Sequence, residues 1–197
     1  MAEPLSLGFD TSAAHCAAAL LQGDRLLAET REEMARGQAE RLMPLLQELL
    51  AGAGATWRDL AVIGCGTGPG NFTGIRIAVA AARGLALSLD IPAVGVGLAE
   101  AAAHGLPRPC RILLPGRGDE VIWQDFGPGE DSRPRQSAPD DLPPGPPVHT
   151  PLMPLAEAIA RIALARRDTP GLPRPAPIYL RPAEAAPARD RGPVMLA

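Results

Sequence analysis

GTGPGNFTGIRIAVAAARGLAL, residues 66 to 87, sets a Gly-Pro-Gly turn directly before a helix that is apolar almost all the way round. Gly74, Ala78 and Ala82 recur at every fourth position with Ala81 beside them. Ile75, Val79 and Ala86 lie on one flank, Ile77 and Ala80 on another. Arg76 and Arg83 interrupt the helix, and their seven-residue separation puts them on roughly one line. A helix of this pattern is buried on more than one side. One side covers its own sheet. The other needs a further partner, either the helix QAERLMPLLQELL of this chain or a second subunit. The turn also admits a second reading, because a helix N-terminus offers free N–H groups and a positive dipole end to a phosphate. The spacing weakens it: Gly66, Gly68 and Gly70 do not form G-x-G-x-x-G, and Gly74 comes one residue too late for a fingerprint starting at Gly68. A P-loop is excluded, since the chain contains no lysine. Close helix packing is the preferred reading and a phosphate cradle the alternative.

Around this helix the punctuation is regular. LSLGFDTS (5–12) reads as a strand running into a polar turn, and HCAAALL and RLLAET flank Gln22-Gly23-Asp24 as a hairpin. QAERLMPLLQELLAG (38–52) places Leu42, Leu45, Leu46, Leu49 and Leu50 at helical spacing, with Pro44 bending it or marking its effective start. AVIGCG (61–66) is a buried strand, AVGVG (93–97) another, and LAEAAAH (98–104) a short helix. A meander followed by alternating helices and parallel strands predicts a ribonuclease-H-like or actin-like lobe; a Rossmann fold would start β-α-β. The division expected is an N-terminal lobe over 1–105, an abbreviated second lobe over 106–185, and a tail over 186–197. CRILLPGRGDEVIWQDF (110–126) reads as a hairpin, and residues 127–149, with seven prolines, as loop or linker. PLAEAIARIALARR (154–167) is an amphipathic helix with Leu155, Ile159, Ile162 and Ala163 on one face. PIYLRP (177–182) reads as a last extended segment docked on the body, the phenol of Tyr179 finding a hydrogen-bond partner.

Composition excludes several functions. A net charge of −3 supplies no field for gripping nucleic acid or anionic lipid, and 3% aromatic residues argue against stacking on single-stranded RNA. Without lysine there is no Schiff-base chemistry. Cys16, Cys65 and Cys110, far apart, are expected as buried free thiols of a reducing compartment. The start MAEPLSLGFD shows no export signal, and no uninterrupted apolar run reaches the roughly 18 residues that span a bilayer. A cytoplasmic protein without a membrane partner is expected. His15, His104 and His149 do not form an H-x-x-x-H pair and read as surface or turn residues, so no metal site is expected.

FDTS after the first strand, the long glycine motif and PIYLRP together resemble, in order, the bacterial TsaB (YeaZ) family. Residues 66–76 match that family's G-R/T-G-P-G-S-F-T-G-[LIV]-R pattern, with Asn71 in place of serine. The resemblance is strong over residues 5 to about 105 and patchy beyond. Pro115 replaces an aspartate and Ile122 a tyrosine of the family's D-A-R-x-G-E-V-Y, while Arg117, Glu120 and Val121 match. It implies an actin-like (ASKHA) α/β fold with a full first lobe and a shortened second. It also implies a chain without catalytic residues or cofactor, the dimerisation subunit of the tRNA threonylcarbamoyladenosine machinery. The partners implied are a second copy in isolation, and in the complex a TsaD-like catalytic subunit and a TsaE-like ATPase, with tRNA reached indirectly. Carried over, the interface falls on Leu42, Leu45, Leu46 and Leu49 of the first helix. From the second helix and its turn come Gly70, Phe72, Thr73, Gly74, Arg76, Ile77, Ala78, Ala81 and Ala82. Asp10, Thr11 and Ser12 occupy the position where actin-like kinases place a phosphate-contacting turn, which keeps nucleotide binding possible. The alternatives are an ATP-binding enzyme of this fold and, behind it, an M22-type metallopeptidase.

Overall fold

The computed structural model describes residues 3–128 and 131–180. Three strands, β1 (Leu5–Asp10), β2 (His15–Gln22) and β3 (Arg25–Glu33), run antiparallel; β4 (Leu60–Gly66) and β5 (Ala93–Val96) add in parallel to the free side of β1. The five-stranded sheet has the order β3-β2-β1-β4-β5. This is the meander-plus-parallel arrangement of a ribonuclease-H-like, actin-like lobe, as the order of elements predicts.

Period-two alternation builds the lobe. Leu7, Phe9, Cys16, Ala18, Leu20, Ile63 and Cys65 face one way, onto α1 (Gln38–Gly52) and α2 (Phe72–Leu89). Ala17, Ala19, Leu21, Val62 and Val94 belong to the cores on the other side. Pro44 sits inside α1 without ending it. Between β4 and β5, α2 carries the long apolar pattern; by length and composition alone it would cross a bilayer, with mean hydropathy 1.4. Here Gly74, Ile75, Ala78, Val79, Ala82 and Ala86 are buried in the chain's own core, and Arg76 and Arg83 are exposed.

The short α3 (Leu98–Ala102) leads into a second sheet, in which β6 (Cys110–Pro115) pairs with β7 (Val121–Phe126). The proline-rich stretch read as loop contributes two short strands to that sheet, β8 (Arg135–Ser137) and β9 (Val148–His149), giving the order β8-β7-β6-β9. These are too short to leave a periodic signal. Arg111 holds the segment in place: its guanidinium bonds both carboxylate oxygens of Asp125, donates to the Pro143 carbonyl and lies 4.7 Å from the Trp123 ring centre.

α4 (Leu155–Arg166) then returns to the first sheet rather than covering the second. Two glycines let it approach: a methyl on Gly8 would come 2.4 Å from the Ala156 carbonyl oxygen, and one on Gly64 2.8 Å from that of Ile159. The first lobe is thereby sandwiched between α1/α2 and a helix that begins 145 residues after β1 ends.

All three thiols are free and buried. Burial pushes the Cys16 thiol up to about 11, and burial with the Asp10 charge pushes Cys65 up to about 12. Since the thiolate is the reacting form, the folded chain is expected to resist alkylation at neutral pH and to take up three equivalents of iodoacetamide once denatured. Mass spectrometry of labelled chains checks this; rapid native labelling of Cys16 or Cys65 would contradict the packing.

Candidate functional site

The polar turn after β1 and the glycine turn before α2 are tied to each other. Asn71, standing where the family pattern has serine, caps α2: its side-chain oxygen accepts the Gly74 N–H at 2.9 Å, the role for which short polar residues are chosen at helix starts. Its own N–H donates to the Ser12 carbonyl at 2.6 Å. Thr11 Oγ1 donates to the Gly74 carbonyl at 2.6 Å. Asp10 accepts from the Ser12 hydroxyl at 2.8 Å and lies 3.0 Å from His15 Nε2. Glycines make room for this knot. A methyl on Gly66 would stand 2.1 Å from Asp10 Oδ1, and one on Gly74 only 1.9 Å from the Thr11 carbonyl oxygen.

Asp10, Thr11 and Ser12 lie buried against the glycine turn. They are 1%, 0% and 1% exposed; Thr11 and Ser12 bond within the chain, whereas Asp10 accepts through Oδ2 only and its Oδ1 is buried with no hydrogen-bond partner among the described residues. Gly74 lets the two backbones touch. His15, expected at the surface, is 5% exposed and paired with Asp10. Among the described residues no group of three His, Cys, Asp or Glu side chains could hold a metal ion.

A cleft of about 740 Å³ lies between this knot and the second sheet. Ser12, Asn71 and Phe72 are on one wall, Pro115, Arg117 and Gln136 on the other, with Ile178–Leu180 along the edge. Arg117 is the one charged side chain lining it among the described residues. The extended segment at 178–180 is docked as the sequence predicts. Ile178 N–H donates to the Thr67 carbonyl at 2.8 Å, and the Tyr179 hydroxyl accepts from Arg76 Nε at 2.8 Å. The Tyr179 ring packs 4.9 Å from that of Phe72, over which the Arg76 guanidinium lies at 3.7 Å. Arg181, Pro182 and the tail at 186–197 lie outside the described residues.

The interface residues carried over from the resemblance divide into two sets. Leu42, Leu45, Leu46, Leu49, Gly74, Ala78 and Ala82 are buried in the chain's own first core. Ala81 is half-buried beside the same core. Gly70, Phe72, Thr73 and Arg76 are exposed, and Ile77, like Ala81, is half-buried and packs against that core. At 100° per residue, the side opposite the buried stripe carries Thr73, Ile77, Ala80, Gly84 and Leu87. Leu87 is 85% exposed, and a methyl added to Gly84 would meet nothing within 4 Å. On α1 the matching outer face carries Met43, Pro44, Gln47 and Ala51 around a shallow groove. The sequence reading missed Ala80, Gly84 and Leu87 as surface residues. With Ile77 they form a 3-4-3 spacing, offset from the Gly74-Ala78-Ala82 row, which was the available signal.

Fold and site together define an actin-like chain whose polar turn after β1 is buried against its glycine turn and whose long second helix carries an outward apolar strip. Residues 30–133 match the family model described as TsaD, tRNA N6-adenosine threonylcarbamoyltransferase. The tRNA threonylcarbamoyladenosine biosynthesis protein TsaB of Escherichia coli is 31% identical over 125 residues, 61% of this chain; the match spans about half, 54%, of that relative. An uncharacterized protein of Mycobacterium tuberculosis strain H37Rv is 30% identical over 171 residues, 78% of this chain and 79% of that one. The structure of YeaZ from Pseudomonas aeruginosa is similar with a TM-score of 0.69 and 26% identity, covering 90% of this chain and 100% of that one. The chain belongs to the TsaB (YeaZ) family.

Proposed function

We propose that this chain is a non-catalytic, cytoplasmic partner subunit in tRNA threonylcarbamoyladenosine biosynthesis. It associates with itself and with a TsaD-like transferase through the outer faces of α1 and α2. A TsaE-like ATPase belongs to the same complex, and tRNA is reached through the transferase. The supporting observation is the seam on α2. Ile77, Ala80, Gly84 and Leu87 leave an apolar strip with small residues at its centre, where another helix backbone can come close, and Leu87 has almost no cover. A stable contact there would bury on the order of 800 Å² per partner. Such a subunit acts by holding its partner in one conformer, for which a preference of a few kcal/mol is enough.

The test is reconstitution. Threonylcarbamoyladenosine should form on tRNA when this chain joins the TsaD-like and TsaE-like subunits with ATP and threonylcarbamoyl-adenylate, and not when it is omitted or alone. Leu87→Glu and Ala80→Arg are expected to abolish both copurification of the transferase and modification. As surface changes they should leave the thermal midpoint within a few degrees of the parent. Full modification by either variant, or ATP turnover by the isolated chain, overturns the proposal.

A further inference from the structure

The cleft between the polar knot and the second sheet has a charge character opposite to that of the chain. The chain as a whole carries a net charge of −3. Yet of the described residues that line this space of about 740 Å³, Arg117 alone is charged. It stands in the turn between β6 and β7, flanked by Gly116 and Gly118, and has no ion-pair partner among the described residues. A single guanidinium facing a cleft without a carboxylate attracts one negative charge. Its planar fork fits a carboxylate through two parallel hydrogen bonds. A polyphosphate would bring more charge than one arginine balances, and the described lining offers no second cation and no carboxylate that could hold one.

The amides on the walls add a second requirement. Gln38 uses its Nε2 on the Ala13 and Met34 carbonyls, and Gln136 uses its own on Glu120, which leaves the Oε1 of each as an open acceptor. Asn71 uses its Oδ1 on the cap of α2 and keeps its amide N–H pair. A molecule that satisfies this set carries its own N–H donor beside the carboxylate. Between the polar groups the walls are apolar, with Phe72, Ile122, Ile178 and Leu180. Both the volume and this composition, apolar walls with a few placed polar groups, are those of a small-molecule site.

We propose that the cleft binds a small N-acyl amino acid, with one carboxylate, one amide N–H and an apolar side chain. Arg117 holds the carboxylate, the glutamine oxygens take the N–H, and Phe72 and Ile122 cover the side chain. The occupant joins two walls of separate origin. Gln38 and Asn71 start the helices of the first lobe, whereas Arg117, Ile122 and Gln136 belong to the second sheet. A bound molecule should therefore raise the thermal midpoint of the whole chain.

Calorimetry and thermal melts of the full chain with N-acetyl-leucine test this. One molecule should bind per chain, with a Kd of about 1 mM or tighter. The uncharged N-acetyl-leucinamide should bind at least about tenfold more weakly, as should N-acetyl-leucine to Arg117→Gln. Arg117→Lys, which keeps the charge and loses the fork, should fall between the two. N-acetyl-N-methyl-leucine, lacking the N–H, should bind about fivefold more weakly. Arg58→Gln, an exposed change outside the cleft, should behave as the parent does. Arg117 is exposed, so its variants should melt within a few degrees of the parent when free. Equal binding by Arg117→Gln or of the amide overturns the carboxylate contact, and equal binding of the N-methyl compound overturns the role of the glutamines. Tighter binding of inorganic phosphate or ATP, or no binding by the parent at about ten times that concentration, overturns the site. None of these results bears on the interface reading, because Arg117, Ile122 and Gln136 lie on neither α1 nor α2.

Discussion

Gly74→Ala is expected to leave little folded protein. Taken alone, alanine inside a helix gains up to about 1 kcal/mol over glycine. Here the new methyl would stand 1.9 Å from the Thr11 carbonyl oxygen and 2.9 Å from the carbon that bears it. That neighbour is backbone, so it cannot swing aside. Relief would push α2 away from the turn after β1. The Thr11-to-Gly74 and Asn71-to-Ser12 hydrogen bonds would be lost, leaving buried polar groups without partners. Overpacking of this kind costs about 3 kcal/mol or more, a large part of a marginal total of about 5–15 kcal/mol. The clash outweighs the propensity gain. Urea titration followed by circular dichroism should show a midpoint far below the parent's; an unchanged midpoint would mean that the two turns are not in contact.

The second large effect separates two alanines on one helix. Ala78→Phe is expected to unfold the chain, whereas Ala80→Phe is expected to leave the monomer intact and block association. Ala78 is 0% exposed and lies in the core cluster with Phe9, Leu46 and Ile63. A phenyl ring there has no room, and the cost exceeds about 3 kcal/mol. Ala80 faces outward, where a substitution stays within about 0.5 kcal/mol for the monomer. Thermal melts and sedimentation of both variants give the answer. A folded, monomeric Ala78→Phe protein would mean that α2 is rotated by half a turn from the orientation described.

That rotation is where sequence and tertiary structure part company. An amphipathic helix declares its buried side by contrast, as α1 does with Leu42, Leu45, Leu46, Leu49 and Leu50 against Met43, Gln47 and Glu48. α2 has apolar residues on nearly every side, so two parallel rows of small residues compete for the interior. By sequence the row containing Gly74, Ala78 and Ala82 reads as a close-approach surface for another helix, because small residues mark close approach. Close approach does occur there, but to the chain's own Thr11 carbonyl, as the Gly74 contact makes plain. The same contact buries Asp10 and Thr11, whose short polar side chains read from the sequence as an exposed turn.

The amino-acid sequence alone determined the order of strands and helices, the alternation within each strand and the two turns that meet. Each of these follows from periodicities of two or 3.6 residues and from local glycine, proline and capping chemistry, which act within a few residues of chain. Only the tertiary structure decided which row of α2 faces inward, that α4 crosses back to the first sheet over Gly8 and Gly64, and that the proline-rich stretch completes the second sheet around Arg111. Those outcomes depend on contacts between residues tens of positions apart, where steric fit between two surfaces decides, and no local pattern carries that information.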